Sequence, residues 1–188
     1  EIVRHVSERL PVRAIPPWMA SRVQPVAVVD VLEVLASALE VAGGSRSYDV
    51  GGPDQLSYPE LLHVYADVAR LVRPRLPRLP LLLPQPVGGT AGQLAGGVAG
   101  RITGVPGPTV SALLASLHHD MVCLEESFRS ELLPGDHPLL GVREAIVRSL
   151  TRPRAGTRLA ERDPMGPLPT DPAWAGGSVY LFDGAVRR

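Results

Sequence analysis

The chain has no lysine; all 19 of its Lys and Arg residues are arginine. Any mechanism that needs a lysine amine is therefore excluded within these residues. Cysteine is almost absent too. Cys123 stands alone, so no disulfide framework can form and a reducing, cytoplasmic compartment is expected. Excess charge is missing: 19 basic residues balance 19 acidic ones. A neutral chain has no charge-driven pull toward nucleic acid or anionic membrane, and no nucleic-acid partner is expected. No His-Glu-x-x-His, Cys-x-x-Cys or Gly-x-Ser-x-Gly pattern occurs. Zinc-hydrolase and serine-hydrolase chemistry thus find no support. The opening "EIVRHVSERL" has neither an initiator methionine nor a basic-then-apolar leader. The expectation is a natural chain that begins upstream of Glu1.

What is present is a hydrophobic fraction of 45% over 188 residues. That is enough for one domain, or one and a piece, at roughly 100–200 residues per domain. Ile2, Val3, Val6 and Leu10 predict the end of a helix over 1–9. "LPVRAI" is a short strand candidate, stopped by Pro16 and Pro17. "QPVAVV" (24–29) is an unalternating, β-branched run, as in strands buried on both faces of a parallel sheet. Asp30 follows where an N-cap belongs. Val31, Leu32, Val34, Leu35, Ala38 and Leu39 then recur at helical spacing up to Gly43 and Gly44. "SRSYDVGG" reads as a third strand closed by a Gly-Gly-Pro turn.

"LSYPELLHVYADVARLV" carries the strongest helix pattern. Ser57 and Glu60 make a capping box, Pro59 falls in the first turn, and Leu61, Leu62, Tyr65, Val68, Ala69 and Val72 form one stripe. A proline-rich connection follows. After it come a short helix over "TVSALLASL", a strand over "DMVCL" and a helix over "LLGVREAIVRSL". From 151 to 177 there is no periodicity, as in a linker or tail. The alternation predicts an α/β fold with an incomplete sheet: residues 1–150 as one body, 151–188 as an irregular tail.

The order of "RVQPVAVVDVLEVLASALE", "SYDVGGPDQLSYPELLHVYADVARLV", the proline-rich stretch, "HHDMVC" and "PLLGVREAIVRSL" resembles the atypical short-chain dehydrogenase/reductases. These are similar to the NmrA-like and complex-I-associated groups and to nucleoside-diphosphate-sugar epimerases. The resemblance covers roughly residues 1–150. It implies the C-terminal, substrate-side portion of a Rossmann-like doubly wound fold, with a helical substrate-side subdomain. "PLPTDPAWAGGSVY" is similar to the junction that leads into a helix-grip domain in longer relatives. The family's Gly-x-x-Gly-x-x-Gly fingerprint and Tyr-x-x-x-Lys pair are absent from this sequence. The resemblance thus implies NAD(P) for a full-length relative, held by an N-terminal Rossmann half. It implies no cofactor binding and no activity for this chain alone.

Candidate sites follow. "IPPWMASRVQP" joins two expected strands, and ligands of open α/β sheets sit beyond strand ends. There Trp18 offers a stacking face, Arg22 a cation and Gln24 a hydrogen-bonding amide for a small-molecule substrate. The alternative is that Trp18 caps the core and Arg22 pairs on the surface. Gly88, Gly92, Gly96, Gly100 and Gly104 recur every fourth residue, a helix-packing stripe. Only 14 uncharged residues run from Val87 to Gly100, short of the ~20 that a membrane span needs, so length favours a soluble helix over membrane contact. His118, His119 and Asp120 lack metal-ligand spacing, and His137 in "PGDHP" reads as a turn residue. The expected function is the substrate side of an NAD(P)-dependent oxidoreductase or epimerase-like protein. The alternatives are a non-catalytic NAD(P)-sensing regulator and a membrane-associated interaction fragment built on the glycine stripe.

Overall fold

A strand continues its ladder only where backbone N–H groups are available, and Pro25 has none. The computed structural model describes residues 7, 21–71, 119–133, 135, 137–151, 156–166, 180–182 and 185–187. In it β1 is two residues long, Arg22–Val23. It pairs antiparallel with β2, Leu56–Ser57, in the register Arg22↔Ser57 and Val23↔Leu56. Val23 also makes a parallel bridge to Met121. There the Gln24 N–H donates to the Met121 carbonyl at 3.0 Å, and the Met121 N–H to the Arg22 carbonyl at 2.7 Å. The described residues thus combine helices with small sheets, a mixed α and β arrangement.

The strand expected over 24–29 does not form. Helix α1 spans Val28–Ala38, with Ala27 as its N-cap, extended at φ −73°, ψ 143°. Asp30 lies inside the first turn and makes no cap bond. Its carboxylate is claimed from outside, because Oδ2 accepts the Leu140 N–H at 2.9 Å. The Ala27 carbonyl opens the helix instead, accepting from Asp30 and Val31, each at 3.1 Å. The buried face is also not the expected one. Ala27, Asp30 and Val34 point inward, whereas Val28, Leu32, Leu35 and Leu39 are 46, 52, 57 and 89% exposed.

Helix α2, Tyr58–Val68, follows the sequence closely. The Ser57 hydroxyl accepts the Glu60 N–H at 3.4 Å, and the Glu60 carboxylate accepts the Ser57 N–H at 2.7 Å. Ser57 thereby holds the Glu60 carboxyl below its usual range. Leu62, Tyr65, Val68 and Ala69 are buried as expected, and Ala66 with them. The helix ends at Val68, and Arg70 turns left-handed just beyond its C-cap, φ 48°. The Leu71 N–H then reaches back to the Ala66 carbonyl at 3.0 Å, a Schellman closure without glycine.

Helix α3, Ser127–Glu131, is one short turn and a half. Helix α4, Val142–Leu150, is the last expected helix, with Gly141 as N-cap. Two cores result. Val34, Phe128, Leu132 and Leu133 form one, with Tyr48, Val50 and Leu139 against it. Tyr65, Val68, Ala69 and Leu150 form the other, where α2 packs on α4, with Leu71 and Ile146 alongside. The segments expected as strands over 45–50 and 120–124 are irregular, the Met121 bridge apart. Side chains replace the ladder there: the Leu124 N–H donates to Asp49 Oδ2 at 2.9 Å and the Asp49 N–H to Glu125 Oε1 at 3.2 Å.

Further along, a 3-10 turn spans Leu159–Glu161, and β3, Tyr180–Phe182, pairs antiparallel with β4, Ala185–Arg187. No helix among the described residues is long and apolar enough to cross a membrane. Apart from Ser7, which is helical and buried, the helix expected over 1–9 lies outside the described residues. So do "LPVRAI", Trp18, the glycine stripe and the helix over "TVSALLASL".

Candidate functional site

The Gly-Gly-Pro turn read from the sequence brings two backbones into contact. A Cβ on Gly52 would stand 2.0 Å from the Pro25 carbonyl oxygen. One on Gly51 would meet Cys123 Sγ at 2.6 Å and the Gln24 amide carbon at 2.7 Å. Glycine is required at both positions by space. Its effect is to let the 51–52 backbone press onto Gln24 and free the Gly52 carbonyl as an acceptor.

Gln24 is 8% exposed, and both ends of its amide are engaged. Nε2 donates to the Gly52 carbonyl at 2.9 Å and to Glu126 Oε1 at 3.4 Å. Oε1 accepts the Cys123 N–H at 3.0 Å and the Gln55 amide at 3.3 Å. A buried amide with all these partners is a rigid strut. Arg22 is exposed, and its backbone N–H donates to Asp120 Oδ1 at 2.7 Å. Of the three residues read from the sequence as substrate contacts, Trp18 lies outside the described residues. Arg22 and Gln24 do not line the hollow described next. Burial raises the Cys123 thiol, as does the nearby carboxylate of Asp49, so it rests as a neutral packing group.

The Gln24 network leads to Arg129 on α3. Arg129 Nη2 donates to the same Gly52 carbonyl at 3.4 Å and to Glu126 Oε1 at 3.3 Å. Its Nε lies 3.3 Å from Glu126 Oε2, an ion pair by distance only. The angle is not that of a hydrogen bond, and the Nε–H is buried without an acceptor. Facing the same space is His137. Its Nε2 stands 3.2 Å from Oδ1 of Asp30, whose side chain is 3% exposed. Asp30 therefore fixes His137 with one oxygen and the 137–140 backbone with the other. Its neighbour in this task is Asp54, whose Oδ2 accepts the Val142 N–H at 2.8 Å at the start of α4.

Between these groups is a half-open hollow of about 350 Å³, lined by Pro53, Arg129, Leu133, Gly135, His137, Pro138 and Leu139. Its volume falls at the low end of the range of about 300–1,000 Å³ usual for small-ligand sites, and its walls are polar and apolar in similar measure. Two nitrogenous side chains project from a floor of leucine and proline. The arrangement can orient one polar group of a ligand and cover an apolar body.

A pyrophosphate seeks free N–H groups at a helix N-terminus. At α2 the Ser57 hydroxyl takes the Glu60 N–H, and at α4 Asp54 takes the Val142 N–H. At α1 the first turn carries the buried Asp30 carboxylate, which repels an anion. No group of three or more His, Cys, Asp or Glu side chains suited to a metal occurs among the described residues. Sequence reasoning passed over Arg129 and read His137 only as a turn residue. Arg129 sits on a helix too short to show a period, and His137 sits among Pro, Gly and Asp. One signal was available: Asp30 interrupts an otherwise apolar run, and a carboxylate placed there needs a partner.

No protein-family description, curated protein or solved structure matches the chain.

Proposed function

We propose that this chain is the substrate side of an NAD(P)-dependent oxidoreductase of the short-chain type, working against a cofactor-holding body that lies outside these residues. The observation that carries the reading is α1. Its Val28, Leu32, Leu35 and Leu39 form an apolar stripe left in solvent, while its opposite face is packed. An apolar face of this kind marks a surface that another body covers. The order of motifs supplies the identity of that body, a Rossmann-like dinucleotide-binding half. The chain's own residues frame the substrate: the hollow beside Arg129 and His137 receives it, and Gln24 braces that wall. Hydride transfer is the chemistry the cofactor supplies when bound.

Calorimetry with NADPH tests the reading. The chain as given should give no saturable heat, and the chain extended through its natural upstream coding sequence should bind. Micromolar binding by the chain as given sinks the proposal. So does an upstream reading frame without a strand followed by Gly-x-x-Gly-x-x-Gly.

A further inference from the structure

The hollow holds more information than its position. Its polar groups are both nitrogenous, Arg129 and His137, and the two carboxylates nearby, Glu126 and Asp30, stand behind them as counter-charges and not on the lining. Arg129 Nε–H is a buried donor with no acceptor in hydrogen-bonding geometry. A buried, unmade hydrogen bond is costly; the Nε faces Glu126 at 3.3 Å on a side chain 37% exposed, and a turn of the guanidinium from Glu126 toward the hollow would let a ligand oxygen relieve it. Guanidinium takes planar two-oxygen anions side-on, through Nε and one Nη together. Arg129 keeps its Nη2 on Gly52 and Glu126 only at 3.4 and 3.3 Å, the weak end of such bonds. These are contacts that a ligand can displace. Leu133, Leu139, Pro53 and Pro138 line the rest of the half-open space and offer contact to a short hydrocarbon body.

We propose that this hollow binds the carboxylate of a small organic acid, held by Arg129 and lined by His137, with its short aliphatic part against Leu133 and Leu139. That this acid is the substrate rests on the oxidoreductase reading; that it binds does not. Glu126 is then a competitor of the ligand for the guanidinium, and its removal strengthens binding.

The test is a titration of the full, nitrogen-15-labelled chain with butanoate, with butanamide as the neutral control and inorganic phosphate as a third arm. The expected result is saturable movement of the Arg129 Nε–H resonance with butanoate, and none with butanamide. Arg129→Gln should weaken butanoate roughly tenfold or more, the equivalent of one charge-assisted bond. Glu126→Gln, which keeps an acceptor for Gln24 and removes the competing charge, should tighten it severalfold. Equal response to butanamide, a response to phosphate alone, or an unchanged affinity in Glu126→Gln overturns the assignment. The titration uses no cofactor, so its failure removes the site and leaves the NADPH test standing. A missing upstream fingerprint removes the oxidoreductase reading and leaves carboxylate binding untouched.

Discussion

The two cores among the described residues are built in different ways. Around Tyr65 and Leu150, two regular helices meet through an apolar stripe, and most of their backbone bonds are internal to each helix. Around Gln24, Asp30 and Phe128 the backbone is mostly irregular, and acidic side chains reach 75 to 110 residues along the chain to hold it. Asp120 takes the N–H of Arg22, Asp49 that of Leu124, Glu125 that of Asp49, Asp30 that of Leu140 and Asp54 that of Val142. The helix pair is stabilised by surface removed from water, spread over many atoms. The second region depends on a few directed bonds to charged acceptors, each about 1.5–3 kcal/mol where shielded and less where exposed. The candidate site belongs to the second region, where individual groups must be fixed.

The sharpest way to break the contrast is at the backbone contact. Gly52→Ala places a methyl on the Pro25 carbonyl and should cost about 3 kcal/mol or more. The drop in urea midpoint should come with loss of near-ultraviolet signal from the Phe128 core; an unchanged midpoint would mean the two backbones are not in contact. Next is Asp30→Ala, which strands the Leu140 N–H and releases His137. A loss of ~1–3 kcal/mol is expected. Hydrogen exchange should speed up at Leu140 and leave α2 protected; uniform acceleration would instead make the two regions one cooperative unit.

A third change strikes only the regular side. Ser57→Ala removes the capping box and should cost about 1 kcal/mol, seen as fraying at Glu60 and Leu61 in exchange while Leu140 is unaffected. The smallest effect belongs to Arg148 and Asp163, whose exposed pair has bonds of 2.7 and 2.8 Å. Arg148 lowers the Asp163 carboxyl from its ordinary 3.8. A depressed carboxylate adds stability that is present above the unfolded value and disappears as pH falls through the folded one. In Arg148→Gln the Asp163 titration followed by NMR should move up toward 3.8, with under ~1 kcal/mol lost at neutral pH. No upward movement would show the pair to be unformed in solution.

What could be read from the sequence follows the same division. Helix α2 was legible to its cap, because Ser57, Pro59 and Glu60 act within four residues and the stripe repeats at 3.6. Its end was not: Arg70 adopts a conformation that glycine usually marks. The Val-rich run before Asp30 was misread because strand propensity and helix burial look alike in a short apolar segment, and the tie that shifts the helix start comes from Leu140. The leucines of α1 read as core because spacing names a face without saying what covers it. Arg22 and Gln24 stood out as polar groups in a loop, and Gln24 does lie in the network that reaches the hollow. Yet the residues that line the hollow, Arg129 and His137, come together only through contacts far apart in sequence.

The carboxylate ties have a consequence for how this protein tolerates change. A strand ladder is made by atoms that every residue carries, so most substitutions leave it standing, and it can also slip by a residue. Here each cross-chain bond is written in one codon. Losing Asp30 or Asp54 removes a tie outright, with no neighbour able to take its place, and the pairing cannot drift to a wrong alignment. The region around the hollow is therefore mutationally brittle and geometrically unambiguous at once. A scan of all single substitutions should show its sensitivity as isolated acidic and glycine positions, set beside the smooth apolar periodicity of α2.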